Sequence, residues 1–335
     1  MTKTLLVDGN NLFKIGFHGV RDYYHKGNHI GGLYHFVNTL RRFIEEQNYD
    51  KVIVVWDGKN NSSQRRLIYA DYKNNRRQTL NEQKKVSYDW QMSRIKQYLE
   101  DMFIRQLEVE GCEADDVIAY YCNISEEEHK TIFSADKDLT QLISEKVTIY
   151  SPTERRYLKN GEKINLQYIS IPHENVKTFK IISGDNSDNI HGIQYMGEKT
   201  FVKLFPEILD KVLTVDDILS LAEELHSDDK NNRALQNLLS GKTKNGVYGE
   251  EFFVINKKLI DLSNPIISEE GKEEVDLYYS ESLDPDGRGY KNLMRMMMDD
   301  GIFKYLPKRD DAWVNFLQPF MKLTRKEKKR YKNKK

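Results

Sequence analysis

Nine acidic residues, in five groups, are the part of this 335-residue sequence best suited to chemistry: Asp8, Asp57, the set Glu113/Asp115/Asp116, the pair Asp136/Asp138 and the pair Asp185/Asp188. Glu113 and Asp116 lie three apart, the spacing of one helical face, with Asp115 beside them. Asp136 and Asp138 lie two apart, on one side of an extended segment, and Asp185 and Asp188 could share a turn or a helix start. Gathered carboxylates raise one another's pKa and cost stability unless cations balance them. The donors are hard oxygens with no accompanying Cys or His, a set that favours Mg²⁺ or Mn²⁺ over Zn²⁺. Two such ions, about 3.5 to 4 Å apart, could clamp a phosphodiester, one activating water and the other stabilising the leaving oxygen. Taken singly, each group has an ordinary reading: a strand-end acid capping a turn (Asp8, Asp57), a helix-start charge pair (Asp115, Asp116), or a surface turn (Asp136/Asp138, Asp185/Asp188). Their joint occurrence favours the metal reading, because unrelated surface acids need not follow three successive apolar strands and open a helix between them.

The elements that must position these acids are legible. LLVDGNN near the start and KVIVVWDG at 51–58 are short apolar runs that end in an acid and a turn glycine. Between them, residues 31–47 carry apolar positions at helical spacing, giving a strand-helix-strand unit and a mainly parallel sheet flanked by helices. KTIFSADKD at 130–138 supplies a third strand and KVTIYSP a fourth. Ligands of such open sheets sit at the carboxyl ends of the strands, so Asp8, Asp57 and Asp136 should converge there. Residues 59–89 break the rhythm with a polar, basic, Asn/Gln-rich excursion. Helical spacing resumes from Trp90 to Phe103 and again from Cys112 to Tyr121, which opens with acids, as suits a helix N-terminus. Beyond residue 172 the pattern is helical, with helices expected at 173–183, 199–209, 216–225, 230–239, 249–261 and 289–304. The expected division is an α/β unit over 1–172, a helical unit over 173–310 and a C-terminal segment with a basic tail over 311–335.

Bulk properties set the outer limits. With 39% apolar residues the chain can bury a core, and 31% charged residues give it a very polar surface. The formal charge is zero, from 52 basic and 52 acidic residues, but the distribution is uneven. Bases crowd residues 59–77 and the last fourteen positions, so a basic nucleic-acid surface can lie beside an acidic metal site. The two cysteines, Cys112 and Cys122, fit neither a zinc site nor a disulfide framework. No secretory leader or membrane span is expected, which points to the cytoplasm.

The ordered series LLVDGNN, VVWDG, Tyr72-Lys73-Asn74-Asn75-Arg76, GCEADDVIA, FSADKDLTQL and SGDNSDNIHGI resembles the 5′-nuclease (flap endonuclease) family, nearest the phage ribonuclease H and phage 5′-3′ exonuclease type, over about residues 3–205. The resemblance implies a PIN-like α/β nuclease core with a helical arch over about 59–95, and a helical DNA-binding part containing a helix-three-turn-helix. It implies a Mg²⁺-dependent 5′-3′ exonuclease and flap endonuclease that removes RNA primers and 5′ flaps in phage-type replication. Asp8, Asp57, Glu113, Asp115, Asp136 and Asp138 would serve one metal ion, with Asp115 central; Asp116, Asp185 and Asp188 would serve the second. Lys73 and Arg76 match the family's basic pair at the foot of the arch, where a fixed cation offsets charge on the scissile phosphate. Tyr72 could stack on a terminal base, while Arg65, Arg66 and Arg77 add replaceable phosphate attraction. Gly192, Gly197, Lys199 and Lys203 fit the helix-three-turn-helix, which in the family binds K⁺ and duplex phosphates; Tyr195 and Met196 depart from its pattern at the K⁺ position. Implied partners are branched or nicked DNA and RNA–DNA hybrid with a free 5′ end, and a single-strand-binding protein, sliding clamp or polymerase. The chain is expected to be a monomer in a phage-infected bacterial cell. Two other readings are a PIN-type single-strand ribonuclease, which would not need the helical half, and a non-catalytic branched-DNA-binding module, which would not need the acids.

Overall fold

The computed structural model describes residues 2–20, 23–75, 80–308 and 311–334. Arg76 and Arg77 lie outside the described residues. The chain opens with β1 (Lys3–Asp8) and α1 (Gly9–Gly19), followed by a small hairpin, β2 (Tyr24–His25) and β3 (Asn28–His29). Then come α2 (Gly31–Gln47), β4 (Lys51–Trp56), α3 (Ser63–Ile68), α4 (Glu82–Asp101), β5 (Arg105–Glu108), α5 (Ala114–Ile124) and β6 (His129–Phe133). Strands β7 (Val147–Ser151), β8 (Arg156–Leu158), β9 (Lys163–Asn165) and β10 (Ser170–Pro172) complete the α/β half. The remainder is helical: α6 (Asn175–Ser183), α7 (Glu198–Leu204), α8 (Val215–Asp228), α9 (Arg233–Leu239), α10 (Glu250–Ile260), α11 (Glu269–Ser280), α12 (Tyr290–Asp299) and α13 (Ala312–Lys334).

The central sheet has the order β5-β4-β1-β6-β7-β8, parallel except for the β7–β8 pair at one edge. Strands β1 and β4 are buried on both faces, as parallel strands between helical layers must be. Their side chains alternate between two cores. Leu5, Val7, Val52, Val54 and Trp56 face a layer containing α1, α2 and α4, whereas Leu6, Ile53 and Val55 face α5 and the helices that follow. The four expected strands are present. Strand β5, parallel to β4, and the antiparallel edge strand β8 escaped the sequence reading because each offers only three or four residues and no clear apolar run.

Three expectations need correction. Helix α4 begins at Glu82, eight residues before Trp90, capped by Asn81, whose side chain accepts from the N–H of Lys84. Its first two turns are exposed and polar, so hydrophobic spacing could not reveal them. The helical unit expected over 173–310 is divided, because α12 with Ile302 and Leu306 returns to the face of the sheet that carries α1, α2 and α4. Finally, the C-terminal segment is a helix, not a solvated tail. Phe316, Leu317, Phe320 and Leu323 are buried, and the Glu327 carboxylate accepts from the Arg105 guanidinium at 3.2 Å with both groups almost inaccessible. Along α12, Met297 is fully buried, Met294 and Met296 lie against the core, and Met298 is exposed. Both cysteines are free and buried. No described helix is long and apolar enough to cross a membrane.

Candidate metal-dependent nuclease site

Parallel register brings the strand-end acids to one edge of the sheet. Asp8 is the last residue of β1 and pairs with Val55, two residues before Asp57; Val7 pairs with Phe133, three residues before Asp136. Asp8 also caps α1, its Oδ1 accepting from the N–H of Asn11 at 2.9 Å and its Oδ2 from the Ser134 hydroxyl at 2.9 Å. Asp57 accepts from the N–H of Ala114 at 3.1 Å, which ties the end of β4 to the first turn of α5. That turn carries Glu113, Asp115 and Asp116. Asp136 folds back on its own loop, accepting from the N–H of Asp138 at 2.9 Å.

Electrostatics registers the crowding. Burial, followed by the charges of Asp57 and Asp136, pushes the Asp8 carboxyl up to about 7. Asp115 is raised well above the carboxylate range by burial and then by Asp136, Asp8, Glu113 and Asp57, which makes it the acid on which the others bear. Asp138 is held at about 7 by burial, against the relief that the Lys180 ammonium provides. Such a pocket favours protons or cations over bare charge. A divalent ion fits its all-oxygen chemistry, although among the described residues no three acids already form a closed cage.

Three basic side chains partition the acids. Lys180, on α6, bridges Asp138 and Asp185, its Nζ lying 2.7 Å from Asp185 Oδ2. At Asp185 burial acts upward, but Lys180 and the N–H and hydroxyl of Ser187 outweigh it and bring the carboxyl to about 2. Lys73 donates to Glu113 Oε1 at 2.6 Å and lies 3.5 Å from Asp188 Oδ2. Arg65 pairs through both terminal nitrogens with Asp116, which also accepts from the N–H of Ile266 at 2.8 Å.

The expected residues thus separate. Asp8, Asp57, Glu113, Asp115, Asp136 and Asp138 form one electrostatically linked group, and Asp185 joins it through Lys180. Asp188 sits at the Lys73 edge, bonded by the Tyr72 hydroxyl at 2.9 Å. Asp116 stands apart: it is 1% exposed and both of its oxygens are engaged, so this structure gives it a structural partner instead of an open coordination edge. Tyr72 presents no face to a base. It is 1% exposed and its one hydroxyl proton is shared between Asp188 Oδ2 and Glu113 Oε2, the latter 3.0 Å away, so the stacking expectation is corrected to a clamp between α5 and the Asp188 loop. Arg65, read as a replaceable phosphate contact, is likewise buried, whereas Arg66 is exposed. Sequence reasoning missed Lys180 and Ser134. Lys180 carried a weak signal, a lone base in the apolar run that ends at SGD, and Ser134 carried none.

Beyond the acids, α6, a 14-residue loop and α7 make a helix-loop-helix. Gly192 fits it for steric reasons, because an added Cβ would meet the Ser183 carbonyl oxygen at 1.9 Å. Tyr195 adopts the left-handed backbone conformation (φ 69°), which a non-glycine residue rarely takes. Gly197 precedes α7 with open space around it, and Lys199 and Lys203 are exposed.

A profile of the 5′-3′ exonuclease N-terminal resolvase-like domain matches residues 3–169. A 5′-3′ exonuclease of Halalkalibacterium halodurans is 31% identical over 276 residues, covering 78% of this chain and 84% of that protein. The chain belongs to the 5′-3′ exonuclease family. A thermostable DNA polymerase I of Thermus thermophilus is 33% identical over 208 residues, 61% of this chain but 24% of the polymerase, so the chain spans about a quarter of such relatives. Among solved structures, the T5 5′-exonuclease with divalent metal ions (zinc) bound superposes with a TM-score of 0.62 at 20% identity, covering 90% of this chain and 98% of that one. The mainly parallel sheet with flanking helices is therefore the fold of that nuclease.

Proposed function

We propose that the chain is a Mg²⁺-dependent, structure-selective 5′ nuclease that hydrolyses phosphodiesters near the 5′ end of a strand. The observation that carries this reading is the meeting of Asp8, Asp57, Asp115 and Asp136 at the carboxyl ends of parallel strands, where the crowding raises the proton affinity of Asp8 and Asp115. Mg²⁺ or Mn²⁺ held by these oxygens would supply an activated water and neutralise the scissile phosphate, with two ions if Asp138, Asp185 and Asp188 complete a second set.

The chain's own residues contribute the rest. Lys73, paired with Glu113 and Asp188, and Lys180, paired with Asp138 and Asp185, are cations that would meet a phosphate once an ion takes over their carboxylates. Ser134 and Asn11 orient the Asp8 carboxylate, and the Ala114 N–H orients Asp57. Helices α3 and α4 would supply the arch beside the pocket, and Arg76 and Arg77 fall between them in the sequence. The exposed Lys199 and Lys203, with backbone N–H groups around Gly192 and Gly197, would hold the duplex by its phosphates. A K⁺ ion in this loop, a replication setting of phage type and recruitment by a polymerase, clamp or single-strand-binding protein belong to the same proposal.

The test is a 5′-labelled forked duplex with and without Mg²⁺, comparing the wild type with Asp115→Asn. Metal-dependent release of short 5′ fragments, lost in the variant, supports the reading. Binding without cleavage, or cleavage confined to unpaired RNA, contradicts it.

A further inference from the structure

We infer that residues 240–249, the loop between α9 and α10, are a second duplex-gripping element that extends the helix-loop-helix surface. This rests on the proposed nuclease function. The segment reads SGKTKNGVYG: two lysines, no acid, and nothing in its sequence marks it as functional. Its structure does.

The loop is built onto the 184–197 loop. The N–H of Gln194 donates to the Lys242 carbonyl at 2.9 Å, Ile193 and Thr243 form an antiparallel bridge, and the Asn237 side chain donates to the Gln194 carbonyl at 3.1 Å. Near the tip, Asn245 Nδ2 meets His191 Nε2 at 2.6 Å. The His191 ring in turn lies edge-on to Tyr69, at the foot of α3. A second bridge, Lys242 with Val247, makes the loop a miniature hairpin. Gly241 closes it at a φ of +61°, where an added Cβ would lie 2.1 Å from the Gly249 carbonyl.

These bonds fix the loop's exposed side relative to Lys199, five residues beyond Gln194. Lys242 and Lys244 are exposed, and beside them Val247 and Tyr248 stand 63% and 43% exposed. Large apolar side chains left open beside lysines, on a loop held by its own bridges, fit a surface made for a partner. The partner that matches is the sugar–phosphate backbone of a duplex: ammonium groups meet phosphates and the apolar side chains pack on deoxyribose. Charge is supplied without base-reading groups, so the contact is independent of sequence.

The experiment uses the full chain with Lys242→Ser/Lys244→Ser, whose side chains are both exposed. Affinity for a blunt duplex is measured in EDTA by fluorescence anisotropy between about 50 and 200 mM salt. Each phosphate contact contributes about 0.9 to the log-log salt slope, so the variant's slope should be shallower by about 1.8. Cleavage of a forked substrate by the wild type is measured alongside. As a control, Lys322→Ser/Arg325→Ser on α13 should leave the slope unaltered. An unchanged slope in the loop variant, or an equal drop in the control, overturns the inference. If the wild type fails to cleave the fork, the proposed function is what falls, a result separable from the slopes.

Discussion

Replacing Asp8 by Asn should make the metal-free protein more stable than the wild type, by a margin about 3 kcal/mol larger at pH 8 than at pH 5. The Asp8 carboxyl rises from an ordinary 3.8 to about 7 because it is buried and faces Asp57 and Asp136, with Asp115 sharing the pocket. Between those two values the folded chain holds a proton that the unfolded chain has released, so stability falls as pH climbs through the window and the full penalty remains above it. From pH 5 to about 7 the difference covers two pH units, and at about 1.4 kcal/mol per unit it amounts to about 3 kcal/mol. Asn preserves the local bonds, since its carbonyl can accept from the Asn11 N–H and its amide can donate to the Ser134 hydroxyl that now donates to Asp8. The measurement is thermal unfolding in EDTA at pH 5 to 8 for both proteins, with several degrees of Tm at stake. Excess Mg²⁺ should then stabilise the wild type by about 2.7 kcal/mol at a hundredfold excess over Kd, and the variant by less. Parallel pH curves for the two proteins in EDTA would refute the coupling.

Other outcomes follow from the same geometry. Arg65→Met strands Asp116 as an unpaired buried charge and should cost about 3 to 5 kcal/mol in urea unfolding; a cost below 1 kcal/mol would return Arg65 to the surface contacts. Lys73→Ala should lower turnover while leaving duplex affinity nearly intact, because Lys73 is bonded to Glu113 and set beside Asp188; a proportionate loss of binding contradicts that role. Ending the chain at residue 311 removes Phe316, Leu317, Phe320 and Leu323 from the core and Glu327 from Arg105. The truncated protein should be insoluble, and a soluble product with an unchanged Tm would show α13 to be dispensable.

The sequence by itself determined the sheet and the address of the acids. In a parallel α/β unit each apolar run must be a buried strand, and a carboxylate just past its end has to emerge at the common edge, so Asp8, Asp57 and Asp136 could be placed together from spacing alone. Helix α13 was hidden because its basic residues dominate its composition; what makes it core is a stripe of four apolar side chains and an ion pair with Arg105, 222 residues away. Tertiary structure alone decided which bases serve the acids. Arg65 and Arg66 are neighbours of one type, yet one is sealed against Asp116 and the other faces solvent, and Lys180 reaches Asp138 from a helix 42 residues along the chain. Tyr72 changed role for the same reason: residue type licenses stacking or hydrogen bonding, and only the walls around a side chain choose between them.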